Sequence, residues 1–245
     1  NRLVGQKVSI VTKKPQTTRQ RITGLLNVDG GQAVFVDTPG VLDPRNSLHQ
    51  FLVDEVTSSV RECDLVIALV EWGERPEKVQ KLKEKLELFG ARQILWVVNK
   101  VDLRKFESTW VYATKINFDF EISVLQSTDN ELLGLKELIV AKLPVSPAPL
   151  YDAESITTSS SREIAAELIR EKCLEYLEDE IPYHLAVKVH KFDESKSPIV
   201  IAADIVLDKP SHKGIVLGQS GSMIKQIGTA ARKEIEKLVS DKVFL

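Results

Sequence analysis

Apolar residues recur along this chain in two rhythms. "QAVFV" (Gln32–Val36), "LVIALV" (Leu65–Val70) and "QILWVV" (Gln93–Val98) are short, β-rich runs that read as buried strands. Between them, "LHQFLVDEVTSSVREC" (Leu48–Cys63) and "PEKVQKLKEKLELFG" (Pro76–Gly90) show helical spacing, the second opened by Pro and closed by Gly. "FEISV" (Phe120–Val124) reads as a short strand and "ELLGLKELIVAKL" (Glu131–Leu143) as a helix. Strands alternating with helices predict parallel strands with crossover helices, an α/β domain over residues 1–145.

The rhythm breaks at "PVSPAPLYDAESITTSSS" (Pro144–Ser161), whose breakers and hydroxyl residues predict a linker over residues 146–160. "SREIAAELIREKCLEYLEDE" (Ser161–Glu180) then predicts an amphipathic helix with Ser161 as N-cap. Two β-rich runs follow, "HLAVKVHKF" (His184–Phe192) and "PIVIAADIVL" (Pro198–Leu207). After them come a Gly-punctuated stretch, "KGIVLGQSGSMIKQIG" (Lys213–Gly228), a last helix, "TAARKEIEKLVS" (Thr229–Ser240), and a strand start, "KVFL". This order predicts a small α+β domain over residues 161–245.

Composition changes the picture little. A charged fraction of 28% beside 43% hydrophobic residues suits a globular chain with a core, and a net charge of -2 advertises no nucleic acid globally. Locally, residues 1–21 hold Lys and Arg but no Asp or Glu, a segment suited to polyanions or simply a solvated basic loop. Cys63 and Cys173 stand in helical patterns without a CxxC, which predicts buried free thiols in a reducing cytosol. No apolar run reaches the ~18 residues of a membrane span.

Candidate chemistry lies at the strand ends. "DTPG" (Asp37–Gly40) follows an apolar run, where open α/β sheets bind ligands; Asp37 can hold Mg²⁺ through water, and Gly40 lets its N–H approach a terminal phosphate. Alone, this pattern also describes an ordinary turn. "NKVD" (Asn99–Asp102) follows another run, expected in the same sheet. The Asp102 carboxylate can accept both N1–H and N2–H of guanine, a donor pair adenine lacks. Asn99 would brace neighbouring loops and the base edge, and the Lys100 stem would lie over the ring. Ser123 and Val124 lie where a strand-end loop is expected to bring a backbone N–H to guanine O6, a pattern that an ordinary turn after a strand also gives. In "PQTTRQR" (Pro15–Arg21), Thr17 or Thr18 can offer a hydroxyl to Mg²⁺.

In the second domain, "GQSG" (Gly218–Gly221) lets a tight turn approach a nucleic-acid backbone, with Gln219 and Ser220 inside it and Lys213 and Lys225 flanking it. A helix–helix turn has the same pattern.

"QTTR", "DTPG" and "NKVD" in this order resemble the bacterial Era-type GTPases. "IREKCLEYLEDEIPYHLAVKV" and "GIVLGQSGSMIKQIGTAARKEIEKLVSDKVFL" are similar to the same family's KH region, so the resemblance covers the whole chain. It implies a Ras-like P-loop G domain followed by a type II KH domain. It also implies GTP/GDP and Mg²⁺ as ligands, and GTP hydrolysis coupled to small-subunit ribosomal RNA binding in 30S assembly. The implied location is cytoplasmic, and peripheral association with the inner membrane is linked to the family. "NRLVGQK" matches the end of the helix after the family's G-x-x-x-x-G-K-[ST] loop, so a first strand and that loop are expected ahead of Asn1, and a further strand and helix after Leu245. The family's GxxG loop usually carries Lys, and its guanine loop reads Ser-Ala where this chain has Ser123-Val124-Leu125. The alternative is a non-hydrolysing KH RNA-binding protein with a pseudo-G domain.

Overall fold

The computed structural model describes residues 1–245 except 13, 15, 16, 20, 42, 45, 46 and 105–109, together with the side chains of 47, 48, 111 and 112. The described chain divides into one unit of Asn1–Lys7 with Thr18–Thr157 and another of Val8–Thr17 with Thr158–Leu245.

The first unit opens with an antiparallel hairpin, β1 (Ile22–Val28) and β2 (Gly31–Asp37). Helix α1 (Ser47–Glu62), strand β3 (Val66–Glu71), helix α2 (Pro76–Phe89) and strand β4 (Ile94–Asn99) follow. A 3-10 turn at Val101–Leu103, the short α3 (Trp110–Thr114), β5 (Phe120–Glu121) and α4 (Asp129–Lys142) complete it. Strands β3, β4 and β5 form one parallel sheet with β4 central. Leu95, Val97 and Val98 have no exposed surface, as a strand covered on both faces requires. Leu95 and Val97 share a core with Leu132, Leu135 and Ile139 of α4, and Trp96 shares one with Val56, Val60, Val79 and Leu86 of α1 and α2.

One expectation is corrected here. β1 is a strand that the apolar pattern did not single out. It turns through Asp29-Gly30, with Gly30 at φ 79°, into β2. The two-residue turn pairs β1 and β2 antiparallel, and among the described residues they form a two-stranded sheet separate from β3, β4 and β5, so "DTPG" and "NKVD" do not leave the same sheet there. The Pro144–Ser161 stretch is hydrogen-bonded to the hairpin over part of its length. Gln32 Oε1 accepts the N–H groups of Leu150 and Tyr151, and the Leu25 N–H donates to the Ile156 carbonyl at 2.7 Å.

The second unit contains α5 (Ser161–Tyr176), β6 (Leu185–Asp193), β7 (Ile199–Leu207), α6 (Lys213–Leu217), α7 (Ser222–Val239) and β8 (Val243–Phe244), in the helix, strand, strand, helix, helix, strand order expected. β7 pairs antiparallel with β6 and parallel with β8. Leu168, Cys173, Ile201, Ile227, Ala231 and Ile235 form its core. The N-cap of α5 is Ser160, one residue before the expected Ser161. Its hydroxyl accepts the Glu163 N–H while Glu163 returns to the Ser160 N–H, a reciprocal box that satisfies two orphan donors. Gly228 lies inside α7 rather than ending a helix before Thr229. Segment Val8–Thr17 is built into this unit: the buried Glu171 carboxylate accepts the Val11 N–H at 3.0 Å, and Lys14 Nζ donates to the Leu177 carbonyl. No helix among the described residues is long and apolar enough to cross a membrane.

Candidate nucleotide site and RNA-binding loop

The end of β4 organises two loops around one amide. Asn99 Oδ1 accepts the Lys100 N–H at 2.8 Å and the Val124 N–H at 3.0 Å. The parallel ladder brings the second loop there, since the Ile122 N–H donates to the Val98 carbonyl at 2.8 Å just before Ser123. Lys100 adopts the left-handed conformation at φ 61°, which turns the chain sharply out of the strand. The 3-10 turn that follows presents an exposed Asp102 carboxylate. Lys100 Nζ pairs with Glu71 at the end of β3.

The Ser123–Val124 loop is stiffened from behind. Arg2 donates to the Val124 and Ser127 carbonyls at 3.2 and 3.0 Å. Thr128 then caps α4 through a reciprocal box with Glu131, and the Thr128 backbone N–H holds the Glu131 carboxyl below its ordinary range.

The candidate phosphate end lies after β2. Thr18 Oγ1 donates to Asp37 Oδ2 at 3.4 Å, whereas Thr17 Oγ1 donates to the Lys14 carbonyl at 2.8 Å and lies 2.9 Å from Thr12 Oγ1. Of the expected Thr pair, only Thr18 is therefore beside Asp37. Residues 15, 16 and 20 of the Pro15–Arg21 loop, and Leu42, lie outside the described residues. A Cβ at Gly40 would meet nothing within 4 Å, so protein packing does not require glycine there. Farther along the same loop, Asp43 joins Lys81 and Lys85 of α2, each at 2.7 Å, and the pair holds its carboxyl down to about 2. The basic segment is only partly available to anions. Arg2 serves the Val124 carbonyl, Lys14 the Leu177 carbonyl, and Arg21 pairs with Glu55 and Glu62.

In the second unit, α6 and α7 are joined by the Gly218–Gly221 loop. Gly218 sits at φ 71°, and a Cβ there would lie 2.7 Å from Met223 backbone and side chain. Ser220 and Gly221 also take positive φ, at 52° and 77°. The N-terminus of the 18-residue α7 starts at the loop, so its unpaired N–H groups and positive dipole end suit a phosphate there. Lys213 and Lys225 are exposed on either side, and Gln219 and Ser220 leave the loop itself uncharged. Ile215, Leu217 and Ile224 offer an exposed apolar surface, while Val216 and Ile227 are in the core.

Residues 1–100 match the family described as 50S ribosome-binding GTPase, and residues 180–245 match the KH domain family. The GTPase Era of Geobacter metallireducens is 41% identical over all of this chain and 84% of its own length. The GTPase Era of Neisseria meningitidis serogroup A is 36% identical, with 81% of its length covered. This chain belongs to the Era family of GTPases. A single-residue variant of Aquifex aeolicus Era, bound to GDP·AlF4⁻, superposes with a TM-score of 0.89 at 29% identity, over all of this chain and 85% of that one. Era in complex with MgGDPNP and nucleotides 1506–1542 of 16S ribosomal RNA matches with the same score and coverage.

Within this Era-family chain, several supporting residues carry no motif of their own. Arg2 lies in a basic run with no sign of its carbonyl partners, and Glu71 reads as a mere strand terminus. Arg104, directly after the "NKVDL" turn, lies over the Trp72 ring and pairs with Glu121.

Proposed function

We propose that this chain binds GTP through the Asn99–Asp102 turn, the Ser123–Val124 loop and the Asp37–Gly40 loop, hydrolyses it, and binds single-stranded ribosomal RNA at the α6–α7 loop in small-subunit assembly in the cytoplasm. The supporting observation is that Asn99 ties the turn carrying Asp102 to the loop carrying Ser123 and Val124.

Asp102 accepts N1–H and N2–H of the base and so selects guanine. Lys100 keeps its ammonium on Glu71 and lays its stem against the ring. Thr18 and Asp37 supply the oxygen donors expected of a Mg²⁺ site that keeps waters and substrate phosphates in its shell; when bound, the ion neutralises developing charge on the β- and γ-phosphates. Thr17, bonded within its own loop, is not the metal ligand. The Gly40 N–H, unhindered by a side chain, meets the γ-phosphate. Val41 follows where a side chain able to orient the attacking water would stand, so intrinsic hydrolysis is slow. On the RNA side, the Gly218–Gly221 turn approaches about four nucleotides of backbone. Lys213 and Lys225 supply charge, and Ile215, Leu217 and Ile224 meet bases.

Era relatives named GTPases align over the whole chain, which disfavours a pseudo-G domain. In the full-length protein, GDP is expected to bind on the order of 10⁴-fold tighter than ADP, because adenine lacks the donor pair that Asp102 accepts and the acceptor that the Val124 N–H meets. A single-stranded RNA from the 3′ end of 16S ribosomal RNA should bind and alter the single-turnover hydrolysis rate. Equal GDP and ADP affinity would remove the nucleotide reading; failure of the RNA to bind would remove the ribosomal one.

A further inference from the structure

Arg104 occupies a junction that the guanine contacts themselves do not explain. Its backbone N–H donates to the Val101 carbonyl at 3.0 Å and closes the turn that carries Asp102. Its guanidinium carbon lies 3.9 Å from the centre of the Trp72 ring, and its Nη2 pairs with the Glu121 carboxylate. Trp72 follows β3, with its N–H on the Asn99 carbonyl at 2.8 Å, and Glu121 ends β5 two residues before Ser123. One side chain thus reaches from the Asp102 turn to both strands that flank β4.

Trp72 has a ring neighbour of its own. Its ring lies 4.9 Å from that of Trp110, which stacks on Phe118 at 5.4 Å and an interplanar angle of 7°. Trp110 Nε1 donates to the Glu74 carbonyl. Arg104 therefore rests on an aromatic ladder rather than on a loose surface ring. A half-exposed ion pair adds little to stability, so its effect lies in where it holds the turn. A carboxylate that must accept two parallel N–H groups needs its position set to within about 0.5 Å.

We infer that Arg104 is a positioning residue for guanine selection, clamping the Asp102 turn between Trp72 and Glu121. This rests on Asp102 being the base reader. Lysine at 104 keeps the charge but not the planar stack on the indole.

The test uses full-length protein, with release of fluorescent mant-GDP followed by stopped flow and the affinities of GDP and IDP compared. IDP lacks the exocyclic amine that Asp102 accepts. Arg104→Ala is expected to release mant-GDP about tenfold faster and to shrink the preference for GDP over IDP, since small misplacements are costly at oriented sites. The change should fall on KM for GTP more than on kcat. Arg104→Lys should lie between, and Glu121→Gln, at an exposed site where folding is not at risk, should speed release about threefold. Asp102→Asn is the control. If it leaves the GDP-over-IDP preference intact, the base reader is misassigned and the inference falls with it. If it abolishes the preference while Arg104→Ala and Glu121→Gln behave as wild type, the base reader stands and Arg104 has no positioning role. Loss of kcat and thermal stability in Arg104→Ala with the preference unchanged also overturns it.

Discussion

Asn99 at the end of β4 holds Val124 just past the neighbouring β5: its side-chain oxygen accepts the Val124 N–H at 3.0 Å and also the Lys100 N–H at 2.8 Å. Asn99→Ala leaves both donors without that acceptor. The expected cost to stability is about 1–3 kcal/mol, typical of part-buried donors left unmet. GDP release should quicken, because the two base-contacting loops lose their common brace. Urea denaturation and mant-GDP release measure the two effects. Loss of stability without faster release would mean that the amide supports the fold alone.

Thr18 and Thr17 are adjacent in sequence and divided in structure, one bonded to Asp37 and the other to Lys14. In the full-length protein, Thr18→Ala is expected to raise the Mg²⁺ concentration needed for half-maximal hydrolysis and to lower kcat by roughly tenfold or more, as loss of a metal-facing donor does. Thr17→Ala should change either quantity by less than about twofold, since its bonds go to Thr12 and Lys14 of its own segment and not to Asp37. Magnesium titrations of the GTPase rate decide it; the reverse ranking would reassign the ligand.

Cys173 is buried in the second core, and burial pushes its thiol up to about 12. In the unfolded chain the thiol ionises near its ordinary 9.0. Between these values the folded state keeps a proton that the unfolded state has lost, so stability falls as pH rises through that window. Cys173→Ala should show a shallower alkaline decline, whatever its offset at neutral pH from the lost sulfur. Cys63 is only half-buried, with its thiol raised chiefly by burial. It is expected to react first with a thiol reagent at about pH 8, near the ordinary thiol range. Equal labelling rates at both sites in the native protein would contradict this.

Gly218 cannot carry a side chain without moving Met223. Gly218→Ala should therefore weaken RNA binding strongly and perturb the start of α7. Lys225→Ala should leave the fold intact, weaken RNA binding uniformly across sequences, and reduce the salt slope of log K by about 1. Fluorescence anisotropy across a salt series reads both. An unchanged slope would place Lys225 away from the RNA.

The parts of this fold that could be read from sequence are those in which local pattern and burial agree. β4 carries four consecutive buried residues and then polar ones, so both the strand and the site at its end were visible. α2 announced itself by Pro76 and Gly90, whose φ of 89° closes the helix. β1 was missed because "ITGLLNV" lacks a regular alternation, although Asp29-Gly30 between two β-rich runs was a hairpin signal. Gly228 reads as a breaker, yet an 18-residue helix tolerates one glycine at a cost of about 1 kcal/mol. Val216 and Ile227 turn into the core while Ile215, Leu217 and Ile224 stay exposed, because the facing of the five-residue α6 and of the start of α7 is set by the turn at Gly218 rather than by an apolar run. Cys63 lies beyond the end of α1 and is half-exposed, so its apolar neighbours misled. Arg2, Arg104 and the choice between Thr17 and Thr18 depend on partners far along the chain, about which local sequence is silent.

The central claim is that Asp102 reads guanine, and base-swapped nucleotides test it most directly. Xanthine carries a carbonyl where guanine has its 2-amino group, so the amide of an Asn can accept N1–H and donate to that carbonyl. Calorimetric titration of full-length Asp102→Asn with GDP and XDP should show GDP affinity reduced by on the order of 10²-fold or more and XDP affinity raised above it. Retention of GDP binding with no gain for XDP would contradict the account.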